Sequence, residues 1–172
     1  MYAKDKIIER IIRVDQAGEI GAQNIYNGQK IVFKILENEK EYETFSEMAK
    51  EEKVHLDFFN DEAKERNIRP TRLAPLFEAG AFVMGVGTAL LGPKAAYVCT
   101  EAVEEIIEKH YNKQIDQLEN IDNNLRSKIK EFRDDEVNHK NTGMKEGKNK
   151  FPILRKIINK TTIVAVFLAE RS

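Results

Sequence analysis

The chain carries one pattern twice. A lone Glu19 lies 33 residues before Glu52-Lys-Val-His55, and a lone Glu104 lies 32 residues before Glu136-Val-Asn-His139. A Glu-x-x-His spacing places both side chains on one face of an α-helix, because residues three apart are neighbours on the helix surface. Two such pairs and two further glutamates, spread over four helical segments, form the ligand pattern of a two-metal carboxylate site inside a helical bundle. The chain has only 3 histidines, so this pattern uses most of its imidazole.

The rest of the sequence agrees with helices. No stretch alternates with a period of two, and the 4 prolines fall near breaks. A first helix is predicted from about Lys4 to Leu36, with the apolar stripe Ile8, Ile12, Ala22, Tyr26, Phe33 and Leu36 at helical spacing. A second runs from about Lys40 to Arg66 on Phe45, Met48, Phe59 and Ala63, and ends at Asn67-Ile-Arg-Pro70, because a residue before proline avoids the helical region. A short apolar helix follows from about Leu73 to Leu91. Pro93 then opens a helix reaching Leu118, with stripe Tyr97, Ile107, Tyr111, Ile115 and Leu118. Asp122 can cap a fifth helix from about Asn123 to Lys145 on Leu125, Ile129 and Phe132, and a last helix starts near Pro152 and runs to the C-terminus.

All six candidate metal-binding residues, Glu19, Glu52, His55, Glu104, Glu136 and His139, fall in phase with these stripes and face inward. Burying four ionised carboxylates among apolar side chains is very costly without compensation. Two divalent cations would cancel four negative charges. Solvated acids beside ordinary surface histidines are the competing account, and the doubled pattern in phase with the core weighs against it. A donor set rich in oxygen and free of thiolate is unlike structural zinc and suits iron or manganese.

Composition removes other classes. The 172 residues are enough for one domain with its own core. The net charge of −1 and the lack of a basic stripe with aromatics argue against nucleic-acid binding. With 33% charged residues and a mean hydropathy of −0.53, the chain as a whole is not an integral membrane protein. A single Cys99 permits no internal disulfide and reads as a small core residue in a reducing compartment. With no secretory or Arg-rich targeting segment ahead of the first helix, the expectation is a cytoplasmic bacterial protein or a mature chain.

The segment from Arg13 to Ala22 (Arg-Val-Asp-Gln-Ala-Gly-Glu-Ile-Gly-Ala) resembles the signature of the demethoxyubiquinone hydroxylases, ferritin-like diiron carboxylate proteins. So do Ile25-Tyr26 with Gly28-Gln29, Gly87-Thr-Ala-Leu-Leu-Gly92, Ala102-Val-Glu-Glu105, His110-Tyr111 and Leu168-Ala-Glu-Arg171. These segments span nearly the whole chain. Gln16 departs from the pattern, standing where the family usually has His, one step off the stripe of candidate ligands. The resemblance implies an all-α, ferritin-like four-helix bundle with an additional short apolar helix and a C-terminal helix, forming a single diiron domain over residues 1–172. It implies an O2-dependent monooxygenase that hydroxylates 6-methoxy-3-methyl-2-polyprenyl-1,4-benzoquinol (demethoxyubiquinol) in ubiquinone biosynthesis. The six residues would then hold two iron ions, with Glu52 and Glu136 bridging them. NADH or quinol would supply electrons, and accessory proteins of the same pathway are possible partners. No Gly-x-Gly-x-x-Gly turn follows a strand to hold a dinucleotide. A ferritin-like iron-storage or peroxide-reducing protein is the alternative that shares such a site.

Neighbouring residues are weaker candidates. Asp15 and Tyr26 share the face of Glu19 and could orient ligands by hydrogen bonds, or be ordinary polar core residues. Glu101, one turn from Glu104, could replace it as a ligand or support it. Glu51 and Asp135 point away from the histidine of their own helix and read as solvated or outer residues. His110 faces away from Glu104, and in the family the His110-Tyr111 pair is linked to quinone or electron transfer. The run from Ala79 to Gly92 is uncharged but, at 14 residues, too short to span a bilayer. It is either a core helix with close contacts at its glycines or a membrane-dipping, channel-lining helix for a polyprenyl tail. Lys145, Lys148, Lys150, Arg155, Lys156 and Lys160 flank Ile157, Ile158, Val164, Val166, Phe167 and Leu168. That combination suits a peripheral position on an anionic membrane, on the cytoplasmic side of the bacterial cell membrane.

Overall fold

The computed structural model describes residues 3–148 and 150–171. The outermost ends of the predicted 1–172 domain, including the last residue of the predicted C-terminal helix, lie outside them. Among the described residues there are six α-helices and no strand: α1 (Ala3–Ile35), α2 (Glu39–Glu65), α3 (Ala74–Leu90), α4 (Pro93–Gln117), α5 (Asn123–Gly147) and α6 (Pro152–Ala169). The architecture is all-helical, as a ferritin-like bundle requires. Each element has a local cause. Asn67 takes a positive φ of 56° just beyond α2. Pro93 and Pro152 stand in the first turns of α4 and α6, where a missing N–H costs nothing. Asp122 caps α5 by accepting from the Leu125 N–H at 3.0 Å. One stripe residue departs from expectation. Leu36 falls just past the end of α1, in the turn to α2, and is 58% exposed.

The chain is built as two matching halves. α1 and α2 are antiparallel, as are α4 and α5. In the first half α3 runs parallel to α1, pairing Gln29 with Thr88 through a hydrogen bond and Val14 and Ala17 with Phe77 through apolar contact. In the second half α6 runs parallel to α4. Arg155 holds Glu101 at 3.0 Å and also Glu105, and Asn159 donates to Glu105 at 3.4 Å. The α1–α3 approach needs glycine. A Cβ on Gly85 would sit 2.1 Å from the Ile25 carbonyl oxygen, so the two backbones touch there. This is a close helix contact at a glycine, although only Gly85, Thr88 and Ala89 of α3 are buried.

α1, α2, α4 and α5 surround the core, which has two apolar layers. One gathers Ile11, Ile12, Phe59, Tyr111, Leu118 and Phe132; the other gathers Tyr26, Phe33, Phe45, Met48 and Tyr97. Buried polar side chains collect at the intermediate levels of the four helices.

A candidate metal centre between the two halves

All six predicted residues are buried: Glu19, Glu52, His55, Glu104, Glu136 and His139 are each no more than 3% exposed. They form two overlapping groups that could hold metal ions. Glu19, Glu52, His55 and Glu136 make one, and Glu52, Glu104, Glu136 and His139 make the other, with donor atoms in each group within 4.8 Å of one another. Glu52 and Glu136 belong to both groups, which is the arrangement of carboxylates shared by two adjacent cations.

The donor atoms fit that occupancy. His55 Nδ1 lies 3.2 Å from Glu136 Oε1, 3.7 Å from Glu19 Oε2 and 3.8 Å from Glu52 Oε2. His139 Nδ1 lies 3.1 Å from Glu52 Oε1 and 3.3 Å from Glu136 Oε2. Both oxygens of Glu52, Oε1 of Glu136 and Nδ1 of His55 are buried and make no hydrogen bond. Unpaired buried acceptors of this kind are costly unless a cation completes them.

Without a cation, protons balance the charge. Burial by itself lowers the affinity of both imidazoles for a proton. The surrounding carboxylates win, pushing His55 up to about 11 through Glu136 and Glu19, and His139 up to about 12 through Glu136 and Glu52. Burial works to raise Glu136 too, but its two histidine neighbours hold it down at about 2. Glu52 and Glu104 are raised well above the usual range, by burial first and then by the negative Glu136.

A second set of contacts crosses between the halves. Tyr26 Oη donates to Glu104 Oε1 at 2.8 Å, and Tyr111 Oη donates to Glu19 Oε1. Burial, followed by the adjacent carboxylates, raises both phenols well above their ordinary range and keeps them as donors. Tyr26 thus shares the face of Glu19, as its spacing indicates, but bonds to the carboxylate of the other half. Behind the histidines, Asp135 Oδ2 lies 3.2 Å from His55 Nε2 and Glu51 Oε2 lies 2.5 Å from His139 Nε2. Residues four apart share a helix face, so the expectation that Glu51 and Asp135 point away from the histidine of their own helix misread the phase; each stands on that face and reaches the histidine of the other helix. A signal was present, since both histidines follow a carboxylate four residues earlier.

The remaining candidates lie outside the two groups. Glu101 is buried, but its Oε1 is held by Arg155 from α6. His110 Nε2 lies 3.9 Å from Asp15 Oδ1, and burial lowers this imidazole to about 4. Burial raises the Asp15 carboxyl well above its usual range although Gln114 donates to it at 2.7 Å. Gln16 donates to Asn60 Oδ1 at 2.6 Å, joining α1 to α2. Cys99 is fully buried, and burial pushes its thiol up to about 12, as for an inert core residue.

An apolar cavity of about 310 Å³ lies between α3 and α6, with α1 and α4 at its floor. Gly18 and Val103, which adjoin Glu19 and Glu104 in the chain, line it together with Ala22. Phe77 and Met84 contribute from α3, and Val166 from α6.

The family model described as ubiquinone biosynthesis protein COQ7 matches residues 6–169. The chain belongs to the COQ7 family. Curated relatives match nearly the whole of this chain. The NADPH-dependent 3-demethoxyubiquinone 3-hydroxylase, mitochondrial, of Dictyostelium discoideum is 41% identical over 174 residues, covering 98% of this chain and 79% of that protein. The 3-demethoxyubiquinol 3-hydroxylase of Rhodospirillum rubrum is 39% identical over 168 residues, covering 96% and 78%. The 5-demethoxyubiquinone hydroxylase, mitochondrial, of Saccharomyces cerevisiae is 38% identical over 191 residues, covering 98% and 80%. In this member of the COQ7 family the doubled Glu and Glu-x-x-His pattern is brought to one buried point.

Proposed function

We propose that the chain is a diiron monooxygenase that hydroxylates the ring of demethoxyubiquinol with O2 in ubiquinone biosynthesis. The observation that carries this reading is the sharing of Glu52 and Glu136 by two buried Glu/His groups, in a chain related over its length to hydroxylases of that name. Glu19 and His55 would complete one iron position, and Glu104 and His139 the other. Two ferrous ions held there would supply the electrons and open positions that activate O2. One oxygen atom would enter the product and the other leave as water, and a nicotinamide nucleotide or quinol would restore the two electrons that the irons give up. The name of the Dictyostelium relative favours the nucleotide.

The protein's own groups do the rest. The shared carboxylates hold the two positions adjacent, while Tyr26 and Tyr111 fix the orientation of Glu104 and Glu19. The apolar cavity suits a polyprenyl tail, and its small residues Gly18 and Ala22 leave room for a ring beside α1. Its walls exclude water from the reacting groups. No helix among the described residues is long and apolar enough to cross a membrane. Leu76 and Val83 on α3, and Ile153, Ile157, Val164 and Phe167 on α6, are exposed. With the basic residues around α6, they favour peripheral attachment to an anionic membrane surface, where a polyprenyl quinol resides. One single domain carries all these parts in this reading. The cavity argues against the iron-storage alternative, which has no use for an apolar chamber.

The direct test is anaerobic loading with ferrous iron, addition of a short-chain demethoxyquinol, and exposure to O2. A product heavier by one oxygen, labelled from 18O2, is expected. Iron binding below one ion per chain, or iron bound with no such product, would overturn the reading. Flotation with anionic liposomes tests attachment, and a protein left at the bottom of the gradient at low salt would refute it.

A further inference from the structure

Glu51 and Asp135 stand at the outer edge of the metal centre, and neither belongs to the two groups within it. The side chains of His139 and His55, which they touch, are 4% and 2% exposed, whereas the Glu51 and Asp135 side chains are 59% and 43% exposed. Each imidazole is therefore gripped at both ends. Nδ1 faces the buried carboxylates, and Nε2 faces a carboxylate that keeps contact with water. Because that carboxylate remains partly hydrated, it presents an acceptor to the ring at little desolvation cost.

The contacts are also crossed. α2 and α5 are antiparallel, and each carboxylate precedes the histidine of its own helix by four residues. The register sets Glu51 of α2 against His139 of α5, and Asp135 of α5 against His55 of α2. We propose that Glu51 and Asp135 are positioning residues that hold, each from the opposite half of the bundle, the histidine of one metal position with its proton on Nε2 and Nδ1 turned to the metal. The inference rests on the metal-site reading above and deepens it. An imidazole offers only one lone pair when neutral, and the partner of one ring nitrogen decides which nitrogen carries it. The metal affinity of each half is thereby tied to the docking of the other. The two positions also differ, since one histidine is held by a glutamate and the other by an aspartate.

The test uses the full chain, stripped of metal and titrated anaerobically with Co(II), with visible absorption and isothermal calorimetry as readouts. Wild type is expected to bind two ions. Glu51→Ala is expected to weaken one of the two by about 10–100-fold and leave the other near its wild-type affinity. Asp135→Ala should do the same to the other position. Glu51→Gln keeps a carbonyl acceptor and should recover most of the lost affinity. Asp57→Ala removes an exposed pair with Lys53 on the same helix and should change nothing. Unchanged two-site binding in Glu51→Ala and Asp135→Ala would overturn the positioning role while leaving the metal centre intact. Equal weakening of both positions in Glu51→Ala, without recovery in Glu51→Gln, would overturn it in favour of a general loss of packing. A wild-type chain that binds no Co(II) and no Fe(II) would instead overturn the metal reading, and this inference with it.

Discussion

Tyr26 donates to Glu104 at 2.8 Å across the boundary between the two halves, from a position seven residues after Glu19. Tyr111, seven residues after Glu104, donates to Glu19 in return. Glu19 and Glu104 are thus each oriented by the helix that carries the other one. A hydrogen bond to a charged acceptor contributes about 1.5–3 kcal/mol, and a buried acceptor left alone bears its desolvation cost. Tyr26→Phe and Tyr111→Phe should each lower the stability of the metal-loaded protein by about 1–3 kcal/mol in denaturant unfolding. Equal stability with wild type would show that the crossed bonds are not formed.

Removing a shared carboxylate should differ from removing an unshared one. Glu136→Ala takes a donor from both groups and should abolish binding of both ions. Glu104→Ala touches one group and should leave at least one ion bound more weakly than in wild type. Metal analysis after anaerobic reconstitution checks this, and two full equivalents in Glu136→Ala would refute the sharing.

Metal uptake should release protons and strengthen as pH rises. Without metal, His55 and His139 hold protons up to about 11 and 12, and Glu52 and Glu104 are raised as well. The cations must displace those protons. The two raised histidines give the metal-free protein a stability that is complete below the unfolded histidine value near 6.5 and is lost as pH climbs toward the folded values. The slope is on the order of 1 kcal/mol per pH unit for each such proton. Metal-loaded protein lacks this loss, so its advantage in melting temperature over chelated protein should widen from pH 7 to pH 9. A gap that narrows over that range would contradict the charge balance described here.

The α1–α3 contact should tolerate no side chain. Gly85→Val drives a branched group into the Ile25 carbonyl and should cost about 3 kcal/mol or more, seen as a lower denaturation midpoint. Gly80→Ala meets nothing within 4 Å and should be close to neutral. Equal effects at the two positions would show that α3 does not lie against α1 at this distance.

Arg155 ties α6 to α4 through the buried Glu101, and its own side chain is 36% exposed. Arg155→Ala should cost about 1–3 kcal/mol, below the full penalty of a stranded buried charge because water reaches the pair. Limited proteolysis should cut near α6 faster in this variant, and an unchanged cleavage pattern would count against the clasp.

Local chemistry was legible along the chain. Caps, prolines and apolar stripes put the first five helices within about two residues of their ends, because these signals act over one or two turns, whereas α6 stops at Ala169 instead of running on to the C-terminus. The same periodicity turned Glu19, Glu52, His55, Glu104, Glu136 and His139 inward, since a helix fixes the direction of a side chain relative to its own stripe. What periodicity cannot express is which neighbour lies across from that stripe. The antiparallel registers of α1 with α4 and of α2 with α5 exist only after packing. Those registers send Tyr26 to Glu104, Glu51 to His139 and Arg155's partner Glu101 away from the metal groups. They also create the cavity between α3 and α6 from residues that, in sequence, are only apolar. The chain by itself determined its helices and its inward carboxylates and imidazoles; tertiary structure decided how they are shared and crossed, because contacts between helices depend on long-range packing that no spacing within one helix encodes.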